Sequence, residues 1–324
     1  MPDITLIEAV TQALAYELAQ DENVVVFGED VGKNGGVFRA TAGLQERFGE
    51  SRVFDTPLAE SMIAGLAIGM STQGLKPVAE FQFMGFIYPA MNQIICHAAR
   101  MRNRTRGRLH CPIVFRAPFG GGIRAPEHHS ESTEALFAHI PGLQVVIPSS
   151  PKRAYGLLLA AMRNPDPVIF LEPKRIYRLV KQSVPDDGQA LPIGKCFTLK
   201  KGEDVTLVSW GASMHETLQT AQQLEVEGIS CDVIDVATIK PLDIETILES
   251  VERTGRCVIV HEGAKTCGVG AEISAQIMEN CMANMIAPVQ RVTGYDTVMP
   301  YFQLEKEYIP SVSRIKNSVM NIME

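Results

Sequence analysis

Residues 53–70, VFDTPLAESMIAGLAIGM, decide how the chain is read. A strand-like Val53-Phe54 runs into Thr56-Pro57, and a helix of small residues follows. Glu60 falls in the first turn of that helix, where the positive helix end favours a carboxylate. Ala64, Gly65, Ala67 and Gly69 alternate with Ile63, Leu66 and Ile68, so a second backbone can come close on any face. The helix is nearly apolar and is expected to be buried. A buried carboxylate without a partner is very costly, yet no Lys or Arg lies between Arg52 and Lys76. Two readings stand. Glu60 only caps its own helix, or it meets a partner that this segment does not supply.

On either side of this stretch, strand and helix patterns alternate. Ile4 to Gln20 places Leu6, Ile7, Val10, Leu14 and Leu18 at a helical period. Val24 to Phe27 is an apolar strand followed by Gly28-Glu29-Asp30 and a glycine-rich loop to Gly36. Pro77 to Phe83 reads as a strand, Ile87 to Arg102 as one helix, and Pro112 to Arg116 as a strand before Phe119-Gly120-Gly121-Gly122. A short helix over Ser132 to His139, a strand over Leu143 to Ile147, a helix over Pro151 to Arg163 and a strand over Pro167 to Leu171 complete the series. Such alternation predicts an α/β fold with a parallel sheet. The runs VVVF, PIVF, LQVVI and PVIFL are apolar throughout, as strands covered on both faces should be. Functional loops then lie at the carboxyl ends of those strands.

Pro185, Asp186, Asp187, Gly188 and Pro192 interrupt the pattern, so a linker is expected over 181–200, between domains spanning 1–180 and 201–324. The second domain repeats the alternation on a smaller scale, from Val205 to Val292. At 324 residues the chain is long enough for two cores. Its net charge of −7 argues against general nucleic-acid binding, the short basic run Arg100 to Arg108 notwithstanding. No stretch reaches membrane-spanning length, no secretory leader is seen, and seven cysteines without paired spacing suit a reducing cytoplasm.

Three groups of residues are candidates for chemistry. Glu60 is the first. The second is Phe81, Phe83, Phe86 and Tyr88, which either belong to the core or form a flat wall for a heteroaromatic ring. The third is Glu127-His128-His129-Ser130-Glu131 after the glycine-rich loop. Adjacent side chains rarely converge on one ion, and no third ligand sits at a typical spacing, which weighs against a metal. A surface loop, or a histidine poised for proton transfer, are the remaining options. Neither Gly120–Gly122 nor Gly268-Val269-Gly270 completes a nucleotide fingerprint.

Taken together, the motifs resemble a known family. They are Gly28-Glu29-Asp30-Val31, Gly35 to Arg39, Thr56-Pro57-Leu58-Ala59-Glu60, Phe119 to Gly122, His129-Ser130, Pro141-Gly142-Leu143 and Pro167 to Pro173. The family is the beta subunit of the thiamine-diphosphate-dependent component of 2-oxo acid dehydrogenase complexes, of pyruvate or branched-chain type. The resemblance runs from Ile4 to the C-terminus and implies a pyrimidine-binding domain followed by a transketolase-like C-terminal domain. It implies that Glu60 hydrogen-bonds N1′ of the thiamine aminopyrimidine and so promotes loss of the thiazolium C2 proton. It places Leu58 at the cofactor, Phe86 against the aminopyrimidine ring, and His129 near the substrate and the lipoyl group. It also implies a potassium site at Ile113, Ala161, Met162, Asn164 and Asp166, built largely from backbone carbonyls. Asn164 and Asp166 depart from the Asp and Asn common there.

One motif of the superfamily is missing. The diphosphate and Mg²⁺ are held there by Gly-Asp-Gly and a downstream Asn, and no Gly-Asp-Gly occurs here. An alpha subunit is therefore expected to hold them, in an α₂β₂ tetramer, with small-residue stretches such as Ala64 to Met70 at interfaces. The resemblance further implies that the C-terminal domain docks a lipoyl acyltransferase core. The resemblance implies a small 2-oxo acid as substrate, pyruvate in first place and a branched-chain 2-oxo acid as the alternative. The Phe119–Gly122 loop looks pyruvate-type, whereas Glu172 to Arg175 and Gly294 to Thr297 look branched-chain. A split transketolase-like enzyme and a non-catalytic scaffold are the competing readings.

Overall fold

The computed structural model describes residues 2–324. The first sheet has seven strands. They are β2 (Val24–Gly28), β3 (Val53–Asp55), β4 (Lys76–Glu80), β5 (Val114–Phe119), β6 (Gln144–Val146), β7 (Val168–Pro173) and β12 (Thr238–Lys240), in the order β12-β6-β7-β5-β4-β2-β3. All pairings are parallel except β12 with β6. The second sheet is ordered β14-β13-β10-β11-β9, from β9 (Phe197–Lys200), β10 (Val205–Ser209), β11 (Cys231–Asp235), β13 (Cys257–His261) and β14 (Gln290–Thr293), with only β9 antiparallel. A small antiparallel pair joins β1 (Asp3–Thr5) to β8 (Lys181–Ser183). The fold is thus α/β with two parallel-dominated sheets. No helix among the described residues is long and apolar enough to cross a membrane.

The central strands are buried along their whole length, as their unbroken apolar runs require. The helix Leu6–Gln20 starts in a capping box in which Thr5 and Glu8 satisfy each other's backbone. Helix Pro151–Met162 starts with Ser150 as N-cap and Pro151 in the first turn.

Four features depart from the sequence reading. Ile87 to Arg102 is not one helix. It is a 3-10 segment Met84–Ala90, a helix Met91–Cys96, a second 3-10 turn Ala98–Arg100 and a short helix Met101–Arg104. Pro89, which has no N–H, accounts for the first irregularity. The second falls at His97, whose backbone leaves helical geometry at φ −121°, and no residue there signals it.

The stretch expected as a linker carries β8 and β9, each covering an otherwise unpaired edge. Strand β12 belongs to the second half of the chain by sequence but closes the first sheet, with Ile147 N–H donating to the Ala237 carbonyl (2.8 Å). Finally, helix Glu60–Thr72 is only half covered. Ile63, Ala64, Ala67 and Ser71 are buried, while Ser61, Met62 and Gly69 are open to solvent.

One apolar core serves both domains. It runs from Phe27, Ile63, Phe81 and Phe115 through Ile147 and Leu171 into Trp210, Ile234, Val236 and Ile259.

Candidate active site

Strands β3, β2, β4 and β5 are consecutive neighbours. Their carboxyl ends lead to Glu60, Glu29, Phe83 and the loop that bears His129. Residues far apart in the chain therefore share one edge of the sheet, for the topological reason that places sites there in parallel folds.

Glu60 opens its helix behind Ala59, which makes no side-chain cap. The turn before it is held down by Thr56 N–H donating to the Gly28 carbonyl (3.0 Å). Asp55 accepts from the backbone N–H of Gly32 (2.7 Å) and Lys33 (3.3 Å), which pins the glycine-rich loop beside it. The half-buried Glu60 carboxylate makes no hydrogen bond and no ion pair among the described residues. It takes no N–H of its own helix, so the missing partner is missing in the fold as well.

Glu29 faces it. Burial, then the charges of Asp30 and Glu60, hold the Glu29 carboxyl above its ordinary range. The sequence marked Glu29 only as part of a loop; the fold brings the two carboxylates close enough for each charge to act on the other.

The aromatic residues and the histidines meet. The His129 ring lies 4.6 Å from Phe83 and 5.0 Å from Phe86, both edge-on, and Phe83 contacts Phe86 at 5.4 Å. His128 tilts over Phe86 at 5.4 Å. Phe81 lies apart from them, buried against Phe115. Ser61 Oγ donates to the Pro89 carbonyl (2.7 Å), which fastens the Glu60 helix to the segment carrying Phe86. Gly85 permits this packing, because a Cβ there would strike the His128 carbonyl. His129 Nδ1 is buried without a hydrogen-bond partner among the described residues. A buried polar nitrogen left unpaired is expensive. No group of His, Cys, Asp and Glu among the described residues is placed to hold a metal ion. Leu58, at 70% exposed, and Met62, at 41%, border the site on an open surface.

Beneath the site lies a charged network that the sequence did not announce. Arg116, on the central strand β5, is fully buried. Its Nε and Nη2 pair with Glu172 (2.7 and 2.8 Å), and its Nη1 donates to Glu80. Tyr177 OH donates to Glu172 (2.6 Å), and the Tyr177 ring holds Phe38, which in turn meets Phe83 at 5.5 Å. The wall of the site thus rests on ion pairs satisfied on every side.

The five potassium candidates gather where helix Pro151–Met162 ends beside the start of β7. The Ala161 carbonyl accepts from Asn164 N–H (3.2 Å) and the Ile113 carbonyl from Val168 N–H (2.9 Å). Asp166 pairs with Arg102 (2.7 Å), and Asn164 exchanges hydrogen bonds with Gln144. The two polar side chains are thus engaged elsewhere. The carbonyls of Ala161 and Met162 lie at a helix C-terminus, where positive charge is favoured.

Residues 3–180 match the family described as "Transketolase, pyrimidine binding domain", and residues 194–315 that described as "Transketolase, C-terminal domain". A protein of Acholeplasma laidlawii named "Pyruvate dehydrogenase E1 component subunit beta" is 52% identical over 97% of this chain and 96% of its own. One of the same name from Bacillus subtilis (strain 168) is 48% identical over the whole of both chains. Another from Staphylococcus aureus is 44% identical, again over the whole of both. A solved structure described as "Split gene transketolase, inactive beta4 tetramer" superposes with a TM-score of 0.82 at 26% identity, covering 99% of each chain.

Proposed function

Because the chain belongs to the family of pyruvate dehydrogenase E1 component beta subunits, we propose that it supplies half of a thiamine-diphosphate site completed by an alpha subunit. The joint reaction is decarboxylation of pyruvate and transfer of the acetyl group to a lipoyl-lysine disulfide. The pyruvate-named relatives favour that substrate over a branched-chain one.

One observation carries the reading. An uncompensated carboxylate, an aromatic wall and a histidine with an orphaned nitrogen converge on an open face, in a chain without the diphosphate motif. Those residues fit one end of thiamine diphosphate. Glu60 would meet the aminopyrimidine nitrogen, with Phe86 and Leu58 against the ring. When bound, the cofactor supplies a carbon nucleophile and an electron sink for the loss of CO₂. Glu60 holds a proton at the ring nitrogen, and His129 orients the lipoyl group or gives it a proton as the acetyl group arrives.

The alpha subunit holds Mg²⁺ and covers the exposed face around Leu58 and Met62, giving an α₂β₂ tetramer. The acyltransferase core docks on the second domain, where Tyr301, Phe302 and Leu304 are exposed. Potassium sits at the backbone oxygens near Ala161 and Ile113. A cytoplasmic location agrees with seven cysteines that are all free.

The test is reconstitution with the alpha subunit, followed by steady-state assays on pyruvate and 3-methyl-2-oxobutanoate. Glu60→Gln is expected to assemble normally and to lose most activity. Turnover near that of the unsubstituted protein in this variant overturns the role of Glu60. Faster turnover of the branched substrate overturns the choice of pyruvate.

A further inference from the structure

We propose that Glu262 and Glu305, two buried carboxylates of the second domain, are positioning residues that hold the first domain's Phe119–Glu131 loop, and so set the place of His129. The inference rests on the reading of His129 given above and names what fixes that residue.

The loop is closed at its neck, where Gly120 N–H donates to the Glu131 carbonyl (2.9 Å). Three further backbone donors, those of Gly121, Gly122 and Arg124, point across the domain seam. Gly121 N–H donates to Glu262 Oε1 (2.5 Å), which also accepts from Ser132 Oγ (3.1 Å). Gly122 N–H donates to Glu305 Oε1 (2.5 Å), and Arg124 N–H to Glu305 Oε2 (3.1 Å). Glu262 therefore grips the chain on both sides of the His129 turn, and Glu305 grips the segment that leads into it.

The glycines fit this grip. A Cβ at Gly120 would press on Glu262 at 2.8 Å, one at Gly121 on Met299 at 2.5 Å, and one at Gly122 on the Arg175 side chain. Gly120 and Gly122 also take φ +77° and +90°, open to glycine at little cost.

Charge at this seam needs a reason. Glu262 and Glu305 are 5% and 4% exposed, and burying carboxylates is costly without strong compensating bonds. Arg175 does not provide them, since its guanidinium is taken by Glu216 (2.5 and 2.9 Å). The Lys174 ammonium is buried and has no hydrogen-bond partner among the described residues. The charges of Lys174 and Arg175 lie close enough to act on both carboxylates, and the direct hydrogen bonds come from the loop N–H groups and Ser132, each charge-assisted bond being stronger than a neutral one. Packing alone would be served as well by apolar side chains. The carboxylates make sense as acceptors for a glycine backbone that offers no side chain to hold.

The experiment uses the α/β tetramer carrying Glu262→Ala, Glu262→Gln, Glu305→Ala or His129→Ala. Hydrogen exchange over residues 119–131 is read together with two partial reactions, pyruvate decarboxylation with an artificial acceptor and acetylation of a lipoyl domain. In both Glu→Ala variants the loop amides should exchange faster, and lipoyl acetylation should fall by about 10- to 100-fold, as small misplacements do. Decarboxylation should fall several-fold less. Glu262→Gln keeps an acceptor at Oε1 and should restore protection and acetylation together. Unchanged loop protection in the Glu→Ala variants overturns the proposal. So does equal loss of both partial reactions in Glu262→Ala when His129→Ala separates them. If His129→Ala does not separate them, the reading of His129 fails instead, and exchange alone decides whether the carboxylates hold the loop.

Discussion

Arg116 is the residue on which the wall of the site depends, and it is held by three acceptor contacts inside the sheet. Removing one member of a buried ion network leaves uncompensated charge and costs about 3–5 kcal/mol. Arg116→Met is therefore expected to lower unfolding free energy by that amount in urea titrations, with Glu80 and Glu172 left facing each other. A loss below about 1 kcal/mol would show that the network is not stabilising as a unit.

Glu134 carries a pH-dependent prediction at the same scale. Burial, with the nearby Glu262 charge adding to it, holds its carboxyl up at about 7 against an ordinary 4.5. The folded chain then keeps a proton that the unfolded chain releases between those values, so Glu134 withdraws stability as pH rises through that window. Glu134→Gln should gain stability relative to the unsubstituted protein between pH 4.5 and 7, by up to about 3 kcal/mol, and no further above it. Parallel stability curves across that range would contradict the assignment. His261, stacked on Trp210 and held down to about 4 by burial and Arg291, acts in the opposite sense. The comparison between variants cancels its contribution.

At the scale of elements, helix Glu60–Thr72 packs one face and leaves the other unused. A Cβ at Gly69 would meet nothing within 4 Å, and Gly65 touches only the far end of Gln93. The sequence predicted burial because the helix is apolar all round; one chain buries only half of it. A second polypeptide is the simplest cover for the rest. Gly69→Trp should leave the stability of the isolated chain within about 1 kcal/mol, since glycine is itself a poor helix former. Its bulk should block assembly with the alpha subunit, as read by sedimentation. Normal assembly of this variant would place the interface elsewhere. The segment Ile87 to Arg102 has real helical spacing, but Pro89 and the non-helical backbone at His97 break it into short pieces.

For the whole molecule, two sequence domains make one folding unit. Strand β12 completes the first sheet from within the second domain's stretch, and a single apolar core crosses the seam. Thermal unfolding of the isolated chain should then proceed in one transition seen alike by far- and near-ultraviolet circular dichroism. Two resolved steps would mean that the domains melt independently. The seam also carries Glu262 and Glu305, so whatever loosens the domains loosens the loop that bears His129.

Local pattern alone determined the alternation of strands and helices, the two parallel sheets, and Glu60, Phe86 and His129 as candidates. Hydrophobic period, glycine and proline act over a few residues and leave their mark wherever they occur. Only the tertiary structure decided that Glu29 faces Glu60, that Arg116 underpins the aromatic wall, and that two distant carboxylates receive the glycine loop. Each of those pairings joins residues tens to hundreds of positions apart. Burying an ionised side chain is costly unless the fold brings it a partner, and no short stretch of sequence records which partner that is.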